Sequence, residues 1–269
     1  SFAFGRMEPA RSYCLGVRID EEAPRSMSIS ADQPTRSLRT AVDPDGLGEL
    51  LVVGGAGHVV GREPDTQSRY QELEDWSREQ FSVQEVPWRW STQDYQPVDA
   101  IPLIGRAWGV PENVQIASGY AKWGMTKGTA AGVALAAAIT GTRPAWAEPF
   151  DPRRLDAVKA PKAFAELNGS VGWRLVRDRL ATLRRTPPEL ADGEGAVVQS
   201  GPIDRVAVSR VDGRTCAVSG VCPHLGGTLT WNTAEQTWDC PLHGSRFDHE
   251  GRLRQGPAVK DLEARELPD

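Results

Sequence analysis

Two short turns hold half of the chain's cysteines and histidines: VCPH, with Cys222 and His224, and DCPLHGSRF, with Cys240 and His243. Fifteen residues separate His224 from Cys240, and the stretch between them, GTLTWNTAEQTWD, reads as a strand hairpin that returns one turn to the other. Thiolate and imidazole are ligands for zinc or iron. A structural zinc takes four ligands around one ion, and its paired ligands are usually separated by roughly two to four residues. Cys222 and His224 are separated by one. Each turn offers one thiolate and one imidazole, which suits a dinuclear centre with both thiolates on one iron and both imidazoles on the other. A zinc-stabilised binding module is the competing reading of the same four residues.

From about Leu190 to Leu267 the sequence resembles the Rieske [2Fe-2S] family in CPH, CPLHGSRF, DHEG and GPA. The resemblance implies a cluster that moves one electron at a time, with Cys222, His224, Cys240 and His243 as its ligands. In respiratory members of that family two further cysteines join the ligand loops by a disulfide, and a serine and a tyrosine donate hydrogen bonds toward the cluster sulfurs. The matching positions here are Gly227 and Leu242 for the cysteines, Ser245 for the serine and Phe247 for the tyrosine. With only the serine kept, fewer dipoles stabilise the reduced cluster. The expected potential lies near the lower end of the family's range of roughly -150 to +300 mV.

Counting histidines limits what the cluster could serve. A mononuclear oxygen-activating iron needs two histidines and a carboxylate. With His224 and His243 assigned to the cluster, only His58 and His249 remain, far apart in the sequence, so a ring-hydroxylating oxygenase is not expected. The glycine run in LLVVGGAGHVVG, from Leu50 to Gly61, is followed by REPD where a dinucleotide fingerprint would open a helix. It reads as a strand and turn, with His58 an ordinary turn residue.

The stretch from Val98 to Gly141, VDAIPLIGRAWGVPENVQIASGYAKWGMTKGTAAGVALAAAITG, places a strand ending in SGYAKWGMT before a small-residue helix. Such a joint turns backbone amides and a helix N-terminus toward a ligand that carries negative charge or accepts hydrogen bonds. The stretch resembles the C-terminal part of the glycine oxidase and D-amino-acid oxidase group of FAD-dependent oxidoreductases. In that group Asp99, Pro102 and Gly105 would lie on a turn, and Gly119 to Thr126 would border the flavin. Gly119, Trp123, Gly124, Met125 and Thr126 are the candidate flavin contacts, and Arg89, Trp90, Tyr95 and Lys122 candidate pocket residues. No copy of the G-x-G-x-x-G loop that binds the ADP half of FAD is present. FAD retention is therefore expected to need a missing N-terminal part, an expectation that the start of the chain without Met supports.

Around these motifs the elements divide the chain. Residues 1–150 read as an α+β part, an antiparallel sheet with helices, belonging to the flavoprotein type. Its strands are SYCLGVRI, RSMSISA, SLRTAV, ELLVVGGAG, VPWRWSTQDY, IPLIGRAW and NVQIASGY, with an exposed amphipathic helix over DTQSRYQELEDWSREQF. Residues 151–188 read as a Pro-rich linker with a helix whose apolar stripe is Trp173, Val176, Leu180 and Leu183, strapped across its own protein. Residues 189–269 read as a small all-β Rieske domain, the boundary lying near Pro187 and Pro188.

The 269 residues carry a net charge of -5, which argues against a nucleic-acid partner. No apolar run reaches the ~20 residues of a membrane span, no secretory leader opens the chain, and four cysteines do not make a disulfide scaffold, so a cytoplasmic setting is expected. Together these features predict a flavin-dependent oxidoreductase acting on a small amine or amino-acid-like substrate. It would pass electrons through a low-potential cluster to an external donor or acceptor protein. The alternative is an electron-transfer module on a non-catalytic docking scaffold.

Overall fold

The computed structural model describes residues 3–154, 161–180, 188–201 and 204–267. Its largest sheet has five antiparallel strands in the order β2-β3-β4-β1-β5: β1 (Met7–Ile19), β2 (Ser28–Ile29), β3 (Ser37–Val42), β4 (Glu49–Val59) and β5 (Val83–Pro97). Alternation along β1 sets its two faces. Met7, Pro9, Arg11, Tyr13, Leu15 and Val17 are buried, whereas Glu8, Ala10, Ser12 and Cys14 are only half-buried. Helix α1 (Gln67–Gln80) packs Tyr70 and Leu73 onto Tyr13, Leu15, Val17, Leu51 and Val53. Each fully buried Leu or Val there contributes about 1.5–3 kcal/mol. The helix is less exposed than its polar sequence suggests, since Glu74 and Ser77 are also buried. Glu74 carries ion pairs to Arg78 and Arg89. Asp65 accepts the Ser68 amide at 3.0 Å, satisfying one free donor of the first turn.

A two-stranded ribbon, β6 (Leu103–Arg106) and β7 (Gln115–Ser118), leads into helix α2 (Gly124–Ile139). Only Ala131 and Ala134 of α2 are buried, against Ile104 and Ala147. Asp99 accepts bonds from Ile101 N and from Arg154, whose Nη1 also donates to Pro102 O at 3.0 Å. The Asp99–Arg154 pair is almost fully buried and measures 2.7 Å. Asp99 and Pro102, expected on a turn, are therefore held from outside by an arginine some fifty residues on, whereas Gly105, expected on the same turn, lies within β6, paired with Ile116 at φ +137.

Helix α3 (Pro161–Leu180) lies against its own protein, as expected, but with a different face. Val171 and Leu175 pack on the core around Trp238, Leu167 is buried, and Arg205 donates to Asp178 O. Trp173 and Val176 face outward, at 66% and 51% exposure. The rest of the helix's expected apolar stripe, the Leu180 side chain and Leu183, falls outside the described residues, as does Pro187 at the expected boundary.

The remaining strands form two small antiparallel sheets. β8 (Gly195–Gln199), β9 (Arg205–Val211) and β10 (Arg214–Ser219) pair in the order β10-β9-β8, and β11 (Thr230–Asn232), β12 (Thr237–Asp239), β13 (Arg246–Asp248) and β14 (Leu253–Gln255) pair consecutively. Trp238 and Phe247, both fully buried, face each other across β12 and β13 in a core that includes Cys222, Cys240 and Leu242.

Candidate cluster site and flavin-facing loop

The two cysteine turns share one backbone form. In the first, Cys222 N donates to Gly227 O and Gly226 N to Cys222 O; in the second, Cys240 N donates to Ser245 O and Gly244 N to Cys240 O. Each closes on a left-handed glycine, Gly226 at φ +73 and Gly244 at φ +77, a conformation open to glycine because it has no Cβ. The histidine is the second residue after the cysteine in one turn and the third in the other, which accounts for the unequal spacing in the sequence.

The four predicted ligands come together as two pairs. Cys222 and Cys240 are both buried, and each thiol acts on the other. Cys240 is the first cause that pulls Cys222 down to about 7, helped by the His224 and Leu225 amides and the Ser245 hydroxyl against the opposing effect of burial. Cys222 and burial raise Cys240, opposed by the Leu242 and His243 amides. Both sulfurs thus lie in nests of backbone N–H groups that favour thiolate. The imidazoles of His224 and His243 stand 5.2 Å apart, nearly perpendicular. Burial, and secondarily His224, pushes His243 down to about 4, and burial lowers His224. Neutral imidazole offers a lone pair to a metal.

These residues fit a [2Fe-2S] cluster. His243 Nδ1 is a buried nitrogen without a hydrogen-bond partner, an arrangement that natively calls for an explanation such as a bound metal. Among the described residues no three His, Cys, Asp or Glu side chains converge on a single ion position, so the donors stand as a sulfur pair and a nitrogen pair. Gly227 and Leu242, the positions matched to the absent disulfide, touch: a Cβ on Gly227 would lie 2.7 Å from Leu242 Cδ1 and 3.2 Å from Cys240 Sγ. Leu242 fills the volume a crosslink would occupy. Ser245, fully buried, also accepts the Ala258 amide at 3.0 Å, which fixes its oxygen beside Cys222.

The second turn is docked on the five-stranded sheet. Gln93 Nε2 donates to Gly244 O at 2.8 Å, and Tyr95 Oη to Gly256 O at 3.1 Å. A Cβ on Gly244 would meet Pro9 Cβ and Gln93 Nε2 at 2.6 Å, and one on Gly61 would meet Pro241 Cα at 2.8 Å. The β11–β12 hairpin touches the N-terminal end of helix α1 through Tyr70 Oη to Glu235 Oε1 at 2.6 Å and Ala234 N to Thr66 Oγ1 at 3.1 Å. Pro9 and Gln93 carry no motif, and their role, like that of Gly61 at the end of the glycine run, shows only when the turns are brought against them.

The loop expected to border the flavin is open. Gly119 has φ +79, followed by Ala121 and Lys122 at φ +50 and +69. Asp94 accepts the Lys122 amide, tying the loop to the end of β5. Lys122 to Thr126 are exposed, with Trp123 at 58% and Met125 at 90%, and Trp123 makes no side-chain cap, so the first amides of α2 are free. Nothing stands within 4 Å of the Cβ positions of Gly124 and Gly132, and that of Gly128 meets only Tyr120 Cε2, at 3.9 Å. A clear surface ending in free helix N-terminal amides fits a planar, anionic group such as FAD.

The candidate pocket residues divide between the faces of β5. Trp90 lies on the half-open face, where Cys14 pairs with it across β1, and Lys122 approaches the same face, its Nζ 3.3 Å from the Cβ position of Gly57. Arg89 and Tyr95 point the other way, to Glu74 and Gly256 O. They are packing residues, because neighbouring positions on a strand project to opposite sides. His58 is corrected as well. It lies within β4 rather than on a turn, its Nε2 2.9 Å from Tyr13 Oη.

Comparison with known proteins agrees with this arrangement. A family model described as FAD dependent oxidoreductase matches residues 3–138, and one described as Rieske [2Fe-2S] domain matches residues 185–266. The Bacillus subtilis (strain 168) protein YhfW, of the Rieske 2Fe-2S iron-sulfur type, is 31% identical over 263 residues, 97% of this chain and 51% of that protein. The chain thus spans about half the length of that relative. The cytochrome b6-f complex iron-sulfur subunit 1 of Nostoc sp. (strain PCC 7120) is 47% identical over 45 residues, 17% of this chain and 25% of that one. Among solved structures, the cyanobacterial plasma membrane Rieske protein PetC3 from Synechocystis PCC 6803 matches 26% of this chain and 70% of its own at 30% identity, with a TM-score of 0.23. With the first model spanning half of the sequence and the second covering both ligand turns, the chain belongs to the FAD-dependent oxidoreductase family and carries a Rieske [2Fe-2S] domain.

Proposed function

We propose that this chain is the substrate-facing and electron-relaying part of a flavin-dependent dehydrogenase for a small amine or amino-acid-like molecule. Residues 1–150 would supply the substrate sheet and closing flavin segment, 151–188 the connector, and 189–269 the cluster domain. Cys222 and Cys240 would hold one iron, and His224 and His243 the other. When bound, the flavin accepts a hydride's two electrons and the cluster passes them on singly.

The observation that carries the reading is the two-sided use of one sheet. Its buried face docks the Cys240 turn through Gln93 and Tyr95. Its other face stays accessible, with Trp88 and Trp90 at 40% and 37% exposure. Arg39 and Lys122 both act on Cys14 there. Indoles with two cations suit a small substrate bearing a carboxylate or similar anionic group. Among the described residues the His224 and Leu225 amides and the Ser245 hydroxyl act on Cys222, and Phe247 stands where the resemblance would place a hydroxyl donor, which supports a low potential.

Visible spectra of the full-length protein test this. Flavin bands beside those of an iron–sulfur cluster are expected; cluster bands alone would mean a carrier on a docking scaffold, and a colourless protein with one zinc would mean a structural site. A redox titration is expected to place the cluster near the lower end of roughly -150 to +300 mV, and a clearly positive midpoint would refute the low-potential reading.

A further inference from the structure

We propose that Phe4 is the positioning residue through which the imidazole edge of the cluster site meets the flavoprotein part, so that electrons enter the cluster there from within the same protein. The inference rests on the functional reading above. Phe4 stands edge-on to both candidate iron-ligating rings, 4.5 Å from His224 and 4.8 Å from His243 between centroids, at 88° and 75°. One side chain thus contacts both imidazoles; His243 is only 5% exposed, and His224 is half-buried. A separate protein that packed on both rings would have to displace Phe4.

The segment that carries Phe4 is fixed at several points. Asn168 Nδ2 on α3 donates to Gly5 O at 3.0 Å and to Phe164 O at 2.9 Å. Arg6 donates to Pro152 O and, at 3.2 Å, to Arg154 O. Val98 N donates to Arg6 O at 3.0 Å. The same segment reaches the flavin-facing loop: a Cβ on Gly119 would lie 3.2 Å from Met7 Sδ and 2.5 Å from Pro97 Cγ. Two residues, Gly5 and Arg6, therefore separate the contact with Gly119 from the contact with the imidazoles. On the cluster side, the Cys240 turn cannot pivot freely, because Gly244 is seated against Pro9 and Gln93, and Gly61 against Pro241.

In each transfer one electron leaves the reduced flavin and converts one of the cluster's two ferric ions to ferrous, while the flavin's proton passes to solvent. The second electron follows after an external one-electron acceptor, a haem or iron–sulfur protein, has emptied the cluster. That acceptor must approach elsewhere than the Phe4 edge or displace it.

The test uses the full-length protein with both cofactors, its flavin reduced anaerobically by a flash in the presence of a deazaflavin photoreductant. Phe4→Ala is expected to slow flavin-to-cluster transfer several-fold and to expose His224 and His243 to diethyl pyrocarbonate, read by peptide mass mapping. Phe4→Tyr is expected to restore both. Flavin and iron contents equal to those of the parent show that the variants fold. An unchanged transfer rate in Phe4→Ala, or histidines modified equally in parent and variant, overturns the proposal while leaving the functional reading intact. A full-length protein without flavin overturns both.

Discussion

The contact between Gly227 and Leu242 allows a quantitative test of how the cluster turns are held. An alanine at 227 would place its methyl 2.7 Å from Leu242 Cδ1, 2.8 Å from Cγ and 3.2 Å from Cys240 Sγ. Carbon atoms rest at about 3.5–4.0 Å. Leu242 is 2% exposed and cannot swing into solvent, so overpacking should cost about 1–3 kcal/mol. Leu242→Ala alone opens a cavity and should cost about 2–5 kcal/mol. Combined, the methyl at 227 relieves its own clash and partly refills the cavity, so the double variant should lose less than the sum of the two by about 1–3 kcal/mol. For a chain of this size, 1 kcal/mol moves the melting temperature by roughly 2–4 °C. The assay is loss of cluster absorbance during urea and thermal unfolding of the parent, both single variants and the double variant. Additivity within about 0.5 kcal/mol, or a Gly227→Ala variant as stable as the parent, would refute the claim that Leu242 packs into the space over Gly227.

Three further outcomes follow from the geometry. Ser245→Ala removes the hydroxyl beside Cys222 and strands the Ala258 amide; a lower midpoint potential and a stability loss of about 1–3 kcal/mol are expected, checked by redox titration and urea unfolding. Arg154→Met leaves Asp99 buried without its guanidinium partner and should cost about 3–5 kcal/mol, visible as a fall in melting temperature. Burial holds His58 below its ordinary value. The native state therefore binds fewer protons than the unfolded chain, and the contribution of neutral His58 is complete above the unfolded value of about 6.5 and is lost as pH falls through and below it. Between about pH 7.5 and about pH 5.5, His58→Gln should show a smaller drop in urea midpoint than the parent; equal drops would remove His58 from the account.

Much of this was legible in the sequence because it is written in local spacing. The strands from Ser37 to Val42 and Glu49 to Val59, the helix after Asp65 and the helix opening at Gly124 follow from alternation, helical period and glycine placement. The two Cys-Pro turns pointed to a ligand set whose sulfur and nitrogen pairs the fold brings together. What escaped was decided by partners distant in sequence. The side of β5 that faces α1 cannot be read from β5 alone, so Arg89 and Tyr95 were expected in a pocket that they turn away from. In α3, Trp173 and Val176 share a helical face with apolar neighbours, yet Val171 and Leu175 make the contact because the cluster-bearing core sits on that side. Phe4, Pro9 and Gln93 lie in unremarkable sequence, and only docking of the two parts gives them a role.

The leucine at 242 has one more consequence, for durability. Loops tied by a disulfide depend on the thiol–disulfide poise of their surroundings, and a reductant that reaches the bond loosens them. Loops joined by a leucine seated over a glycine have no such dependence. The grip of Leu242 on Gly227 should persist at any ambient thiol concentration, and it fails only when the apolar core around Trp238 and Phe247 opens.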